Sequence, residues 1–135
     1  MPIPQSDVQA LIAAAHNHAK QGGLRVSVAV VDEGGFVLGL ARMDGAAPLS
    51  SQVAEAKALG AAMMHRDGDS LAELAQSRPA FFTQVDRLVR LPLVGALGSL
   101  LIRRDGAVLG AVGVSGATPE QDRACAQAGL DTLTA

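Results

Sequence analysis

Two pairs of short apolar segments, each pair joined by a tight glycine turn, place the strongest constraint on what this chain can fold into. The first pair runs from Arg25 to Val31 and from Phe36 to Met43, around an Asp-Glu-Gly-Gly turn. The second runs from Ser99 to Arg104 and from Ala107 to Ser115, around Asp105-Gly106. Because Asp-Gly favours the type I′ turn that joins antiparallel strands, the pattern predicts two β-hairpins.

Helical periodicity marks the segments that flank these hairpins. Ser6 with Gln9, and Thr118 with Gln121, match the capping box that satisfies the first free N–H groups of a helix. Helices are predicted from Ser6 to Gly22, from a cap at Ser50 or Ser51 to about Met64, from about Ser70 to Gln76, and from Thr118 towards the C-terminus. Hairpins and helices in this order predict an α+β domain whose antiparallel sheet is covered by helices.

The two hairpins also resemble each other in sequence. Val28–Ala46 and Leu100–Ala117 each consist of a strand, a tight turn, a second strand and a small-residue loop that leads into a capped helix. This similarity reflects either an internal structural repeat or the general likeness of any two hairpins. If it is structural, the loops around Asp44 and Ser115 lie at related ends of the sheet.

Length, charge and cysteine content exclude several classes of protein. The chain has 135 residues, which suits a single domain over residues 1–135, and its one cysteine, Cys125, excludes an internal disulfide. A net charge of −2, with no basic run longer than Arg103-Arg104, argues against nucleic-acid binding. The first residues do not match a signal peptide, and no apolar run is long enough to span a bilayer. We therefore expect a cytoplasmic protein with no membrane partner.

The three histidines, His16, His18 and His65, are the first candidates for binding a metal or haem. Residues two apart on a helix point about 200° apart, so His16 and His18 cannot bind one ion together within one chain. Either lies at the rim of the apolar helix face and is a candidate haem ligand, and we favour His18 because it is nearer the helix end. His65 ends the second helix, where a cation is favoured by the helix dipole. No spacing typical of zinc or non-haem iron sites is present, so no protein-bound metal ion is expected.

Two small-residue loops and a lysine form a second group of candidates. Glycines on either side of a small polar residue, just before the last helix, leave N–H groups free to bind a carboxylate or phosphate. The corresponding loop before the second helix carries a cation and a carboxylate. A lysine within that helix either is buried because it has a function there or extends its charged group to the surface. The candidate cofactor-binding residues are thus His18 and Arg42, and the candidate ligand-binding residues are Asp44, Lys57, Gly113, Ser115 and Gly116.

Four motifs in order make the chain similar to a known family. They are V-S-V-A-V-V-D-E-G-G, A-R-M-D-G-A, A-E-A-K-A and G-A-V-G-V-S-G-A-T-P-E-Q-D, within a similarity that covers residues 6–133. They resemble the GlcG/HbpS family, which includes the C-terminal domain of the PduO type. The resemblance implies a profilin-like three-layer α/β/α fold with a five-stranded antiparallel sheet. It also implies homo-oligomers and, in several members, binding of haem or its iron.

Three functions stay open at the level of sequence. The first is a haem- or tetrapyrrole-associated small-ligand-binding protein, accessory to a catabolic pathway. Its axial donor would be His18, Met43 or Met64, and the cations for the propionates would be Arg42 or Arg103 and Arg104. The second is an enzyme of the isomerase, tautomerase or hydrolase type that acts on a small organic acid in glycolate or aromatic-compound catabolism. In that case Arg42, Lys57 and the loop at Ser115 hold carboxylates. The third is a structural oligomeric module. A tautomerase with an N-terminal proline is not favoured, because Pro2 precedes a helix cap and does not start a strand.

Composition favours self-association. Hydrophobic residues make up 49% of the chain, and small residues account for most of the excess. A 13.7 kDa domain has a high ratio of surface to volume, so it does not readily bury that much apolar area. We expect a homo-oligomer with its small-molecule site at or near a subunit boundary. The alternative is a monomer whose apolar content is core alanine.

Overall fold

The computed structural model describes residues 2–133, in which helices surround a single β-sheet. In chain order the elements are α1 (Gln5–Gln21), β1 (Ser27–Asp32), β2 (Val37–Arg42), α2 (Leu49–Met64), α3 (Gly68–Ser77), α4 (Pro79–Asp86), β3 (Ser99–Arg104), β4 (Ala107–Ser115) and α5 (Pro119–Leu130), followed by a short 3-10 helix at Asp131–Leu133. The second hairpin has the predicted bounds. In the first, β1 begins two residues and ends one residue later than predicted, and β2 is one residue shorter at each end. Within the described residues, no helix combines the length and apolarity that crossing a bilayer requires.

The strands pair antiparallel in the order β2-β1-β4-β3, so the two hairpins join through β1 and β4. Asp105 and Gly106 have positive φ angles of 52° and 80°, which confirms the type I′ turn between β3 and β4. The expectation of five strands is wrong for the part of the chain that the structure describes, where the sheet has four.

The segment between α4 and β3 is where a further strand had room to form. Hydrogen bonds made by side chains, and not pairing with another strand, hold this segment in place. Asp86 accepts a hydrogen bond from the N–H of Leu93 at 2.6 Å, and Arg90 donates to the carbonyl of Gly35 at 2.7 Å. Pro92 has no N–H to donate to a neighbouring strand, so the segment runs along the surface as an irregular loop.

Helices cover both faces of the sheet and give it three layers. Alternation along the strands sends larger side chains to the face that packs against α1 and α5, and these are Val28, Val30, Leu100, Ile102, Val112 and Val114. The opposite face packs against α2 and α3 and carries Ala29, Val31, Leu101 and Ala111. The two faces therefore have different depths, and the shallower one receives the alanine-rich helix α2.

Gly113 lets α2 approach this shallow face closely. A Cβ atom at residue 113 would lie 2.7 Å from the backbone nitrogen of Ala58 and would also overlap the carbonyl oxygen of Ala54. Because both atoms belong to the helix backbone, α2 would have to move away from β4 to admit any side chain there. Gly113 therefore sets the distance between the sheet and α2.

The last helix begins as predicted. Thr118 accepts a hydrogen bond from the N–H of Gln121 at 3.2 Å, and the Gln121 side chain accepts one from the N–H of Thr118 at 3.1 Å. The capping box at the start of α5 is confirmed.

The first two helices begin at prolines instead of at serine caps. Pro4 occupies the N-cap position of α1 and Pro48 that of α2, and neither helix has a side-chain cap. The predicted caps at Ser6 and at Ser50 or Ser51 are therefore wrong. Proline fixes φ near the helical value and lacks the N–H that a helix start leaves unpaired, so each helix begins earlier than the serine signal indicates.

Candidate functional site

Strand order brings the two polar loops to the same end of the sheet. β1 is antiparallel to both of its neighbours, and Ser27 at its start lies opposite Arg42 in β2 and opposite Ser115 in β4. β2 and β4 therefore run in the same direction on either side of β1. The loops that follow them, which contain Asp44 and Gly116, leave the sheet at the same end, which is the arrangement expected if the similarity of the two hairpins is structural.

A surface cleft of about 570 Å³ opens on the side of this sheet end that faces α1. It lies between the end of α1, the residues that precede β1 and the loop after β2. Its lining is His16, Asn17, Lys20, Gly23, Leu24, Arg25, Arg42, Met43 and Asp44. The cleft thus joins two predicted site residues, Arg42 and Asp44, to cationic and imidazole side chains from elsewhere in the chain.

A row of side chains spaced by four residues positions α1 against β2. A Cβ at Gly39 would lie 2.7 Å from Val8 and 3.1 Å from Ile12, so this glycine lets the helix sit on the strand. His16 and Lys20 continue the same row towards the helix end. Both consequently line the cleft beside the end of β2.

His16, and not His18, is the histidine of the cleft. The His16 ring is half-buried, and its Nε2 atom lies 3.2 Å from the carbonyl oxygen of Ala41. A carbonyl oxygen only accepts, so Nε2 carries the proton and Nδ1 keeps a lone pair in the neutral ring. His18 is exposed and does not line the cleft. Both histidines were candidates from the sequence, with His18 favoured, although the spacing of His16 from Val8 and Ile12 was the available signal for the cleft.

Lys57 is buried away from the cleft in an ion pair. Its side chain donates from Nζ to Oδ2 of Asp122 at 3.1 Å and to the carbonyl of Val114 at 3.0 Å. Asp122 in turn accepts the N–H of Ala117 through Oδ1 at 2.9 Å. The pair ties α2 to the end of β4 and to the start of α5. Of the two interpretations of this lysine, burial is the one that the structure shows.

Burial also changes the chemistry of the two titratable groups of α5 that lie in the interior. It raises the pKa of the Asp122 carboxyl above its ordinary value of 3.8, against the opposing effects of the Lys57 charge and the Ala117 N–H. Burial, followed by the charge of Asp122, raises the pKa of the Cys125 thiol. Because the thiolate is the reactive form, Cys125 acts as a packing residue.

The three predicted residues at the end of β4 and just after it lie outside the cleft. Gly113 is buried under α2, Ser115 is half-buried, and Gly116 is exposed with a φ of 134°. A Cβ at Gly116 would lie 2.9 Å from the Cα atom of Val26, so this glycine permits close packing against the start of β1. Roles for these residues, for His18 and for Lys57 in ligand binding stay predictions.

Comparison with known sequences gives a consistent family. The model of the family described as "Haem degrading protein HbpS-like" matches residues 3–131. Protein GlcG of Escherichia coli K12 is 37% identical over 115 residues, which cover 84% of this chain and 81% of that protein. The corrinoid adenosyltransferase PduO of Salmonella typhimurium is 32% identical over 127 residues, which cover 94% of this chain but 38% of PduO.

Solved structures agree with these sequence matches. A double mutant of Streptomyces reticuli HbpS superposes with a TM-score of 0.90 at 28% identity, covering 100% of this chain and 89% of the other. A complex of PduOC with haem also superposes with a TM-score of 0.90, at 29% identity, and covers 99% of this chain and 96% of the other. The fold is therefore shared across the residues that the structure describes.

Proposed function

This chain belongs to the HbpS-like family, and on that premise we propose that it binds haem or a related tetrapyrrole in the cleft between α1 and the Arg42–Asp44 loop. One observation carries the proposal. His16 has a ring nitrogen with a free lone pair, set by its hydrogen bond to Ala41, in the same cleft as three cationic side chains. A similar protein, PduOC, has been crystallised with haem.

The residues present fit the chemical demands of haem. An imidazole nitrogen that donates its other N–H to a backbone carbonyl is the usual arrangement of a metal-ligating histidine. Lys20, Arg25 and Arg42 are cations for the propionates, and Leu24 and Met43 offer apolar contacts to the ring. The volume of about 570 Å³ lies within the range of small-molecule sites. Bound haem would supply redox-active iron, while this chain's residues hold it and neutralise its carboxylates.

The cleft offers apolar contacts to only part of a haem ring, and this supports the predicted homo-oligomer. Leu24 and Met43 are the large apolar residues of its lining, so they cover only part of an apolar macrocycle. Apolar side chains elsewhere are left exposed to solvent, among them Phe36, Leu49 and Leu88. These side chains lie outside the cleft lining and favour association with another copy of the chain, and a copy placed over the cleft would close it from water. We place the haem site at a subunit boundary on this basis.

Haemin titration of matched histidine variants tests the proposal. The Soret band is followed for the wild type, for His16→Ala and for His18→Ala. His18 is the control because it lies on the same helix, two residues away, and is exposed. His16→Ala is expected to shift the Soret maximum and to weaken binding about tenfold or more, whereas His18→Ala is expected to bind as the wild type does.

The alternatives have distinct outcomes in the same titration. Weak binding that follows from His18→Ala, with His16→Ala unchanged, would return the axial role to His18, as the sequence analysis favoured. A wild-type protein that gives no Soret shift with haemin would overturn the proposal. Accessory function in a catabolic pathway and a cytoplasmic location remain predictions that this experiment leaves aside.

A further inference from the structure

The cleft has a charge opposite to that of the whole protein. Lys20 comes from the end of α1, Arg25 from the segment before β1, and Arg42 from the end of β2. Asp44 is the one carboxylate among the lining residues, so with His16 neutral the cleft carries a net charge of +2, whereas the chain carries −2. A positive cleft on a negative protein concentrates anions locally.

Arg25 is the positioned member of this group. Its Nη1 atom donates a hydrogen bond to the carbonyl oxygen of Asp44 at 2.8 Å. A Cβ at residue 45 would lie 3.2 Å from the same nitrogen, and Gly45 has a φ of 84°. Glycine at this position therefore allows the turn and leaves room for the guanidinium. One of the five N–H donors of Arg25 makes this bond, and the others stay available to a ligand.

The three cations have no acidic partner within residues 2–133. The ion pairs of the described residues join Lys57 to Asp122, Arg90 to Glu55, Arg104 to Asp7 and Arg123 to Asp69. Every one of these pairs lies outside the cleft lining. The cations of the cleft thus have their carboxylate-binding capacity unused, as do Arg66, Arg78, Arg87 and Arg103 elsewhere on the described surface, but in the cleft three such cations line one site.

We propose that Arg25, Arg42 and Lys20 form a subsite that recognises two free carboxylates of the ligand. The guanidinium groups match the planar carboxylate through paired N–H donors, and Lys20 adds a mobile point charge. This inference rests on the proposed function of the same cleft and deepens it. It states that the carboxylates of a tetrapyrrole, and not only its ring and iron, determine whether it binds.

Esterification of the ligand tests the subsite without altering the protein. Haemin and haemin dimethyl ester share the ring and the iron, but the ester has no ionised carboxylate. Both are titrated into the wild type at the same co-solvent concentration. We expect the ester to bind about tenfold or more weakly, because charge-assisted hydrogen bonds are lost. Equal affinities for haemin and its ester would overturn the inference and leave the proposed function intact.

Variants then assign the effect to Arg25. Arg25→Gln is expected to weaken haemin binding about tenfold and to leave ester binding unchanged, while Arg25→Lys recovers part of the loss because it restores the charge. Arg87→Gln removes the same charge from an exposed residue just after α4 and serves as the control. Thermal unfolding of each variant checks the fold. If Arg25→Gln weakens both ligands equally, Arg25 supports the loop and does not bind carboxylates.

Failure of the proposed function can be separated from failure of this inference. If the wild type binds neither porphyrin, the haem proposal fails, and succinate becomes the probe for the subsite in titration calorimetry. Binding of succinate by the wild type, with loss in Arg25→Gln, would support a dicarboxylate subsite for a different ligand. Absence of succinate binding in that case would overturn the inference as well.

Discussion

Lys57 in α2 and Asp122 in α5 meet inside the protein, where β4 ends and the last helix begins. The Nζ and Oδ2 atoms are 3.1 Å apart, and the side chains are 5% and 3% exposed. Gly98 closes over the pair, since a Cβ there would lie 2.8 Å from Nζ. An unpaired charge in this position costs several kcal/mol, so the pair requires α2, α5 and the residues before β3 to be placed together.

Breaking this pair is expected to destabilise the fold strongly. Lys57→Met leaves the Asp122 carboxylate buried alone and should lower the free energy of unfolding by about 3–5 kcal/mol, whereas Asp122→Asn, which resembles the protonated carboxyl, should lower it less. Urea unfolding followed by circular dichroism measures the change. Asp7→Asn breaks the partly exposed pair with Arg104, whose side chains are 34% and 35% exposed, and should cost less than about 1 kcal/mol. Wild-type unfolding curves for the buried-pair variants would contradict the assigned role.

The raised pKa of Asp122 predicts a pH dependence with a definite sign. Because burial places the folded pKa above 3.8, the folded state binds more protons than the unfolded state between 3.8 and the raised pKa. The stabilisation is complete below 3.8 and is lost as the pH rises through the folded pKa. The stability of the wild type relative to Asp122→Asn should therefore fall as the pH rises through this window. Urea unfolding at a series of pH values checks it, and an increase would mean that the Lys57 charge outweighs burial.

His65 is expected to limit the stability of α2. It ends the helix with a φ of 53°, in the left-handed region, and its N–H bonds to the carbonyl of Ala61. The Cβ atom is unfavourable in this conformation, so His65→Gly should raise the free energy of unfolding by about 1 kcal/mol. His65→Ala keeps the Cβ and is the control for loss of the imidazole. A lower melting temperature for the glycine variant than for the alanine variant would refute this explanation.

Asp32 is expected to be a turn residue without a part in ligand binding. Its Oδ1 atom accepts N–H bonds from Gly34 at 2.9 Å and from Phe36 at 3.0 Å. Asp32→Asn keeps a side-chain oxygen for these bonds and should change stability little, whereas Asp32→Ala should cost about 1 kcal/mol. Haemin affinity should be the same in both variants once they are folded. Normal folding of Asp32→Asn together with loss of ligand binding would show that this carboxylate has a functional role.

The chain is expected to form a homo-oligomer in solution. Leu88 is 83% exposed and Leu49 is 63% exposed, and α4 buries none of its residues. Contact with another copy of the chain would remove these apolar side chains from water. Light scattering coupled to size exclusion at micromolar concentration should give a multiple of 13.7 kDa. A mass equal to 13.7 kDa would show that the cleft is completed within one chain or stays open.

The sequence by itself determined those features that depend on a few neighbouring residues. The bounds of β3 and β4, the turn at Asp105 and the capping box at Thr118 follow from backbone preferences and short side-chain reach. The α+β class followed from the order of such signals along the chain, and the family followed from the resemblance of four sequence motifs to those of known proteins. The serine caps failed for the same local reason, because prolines upstream offered an earlier helix start.

Only the tertiary structure decided which polar residues meet. Arg42 and Ser115 share an end of the sheet because β1 pairs with β4, a contact between distant parts of the chain. The flank of α1 that faces β2 depends on how the helix rests on Gly39, and this selects His16 over His18. Lys57 can be buried because Asp122, which lies near the other end of the sequence, pairs with its charge in the folded protein. Periodicity predicts the faces of each element, whereas the packing of whole elements determines what each face meets.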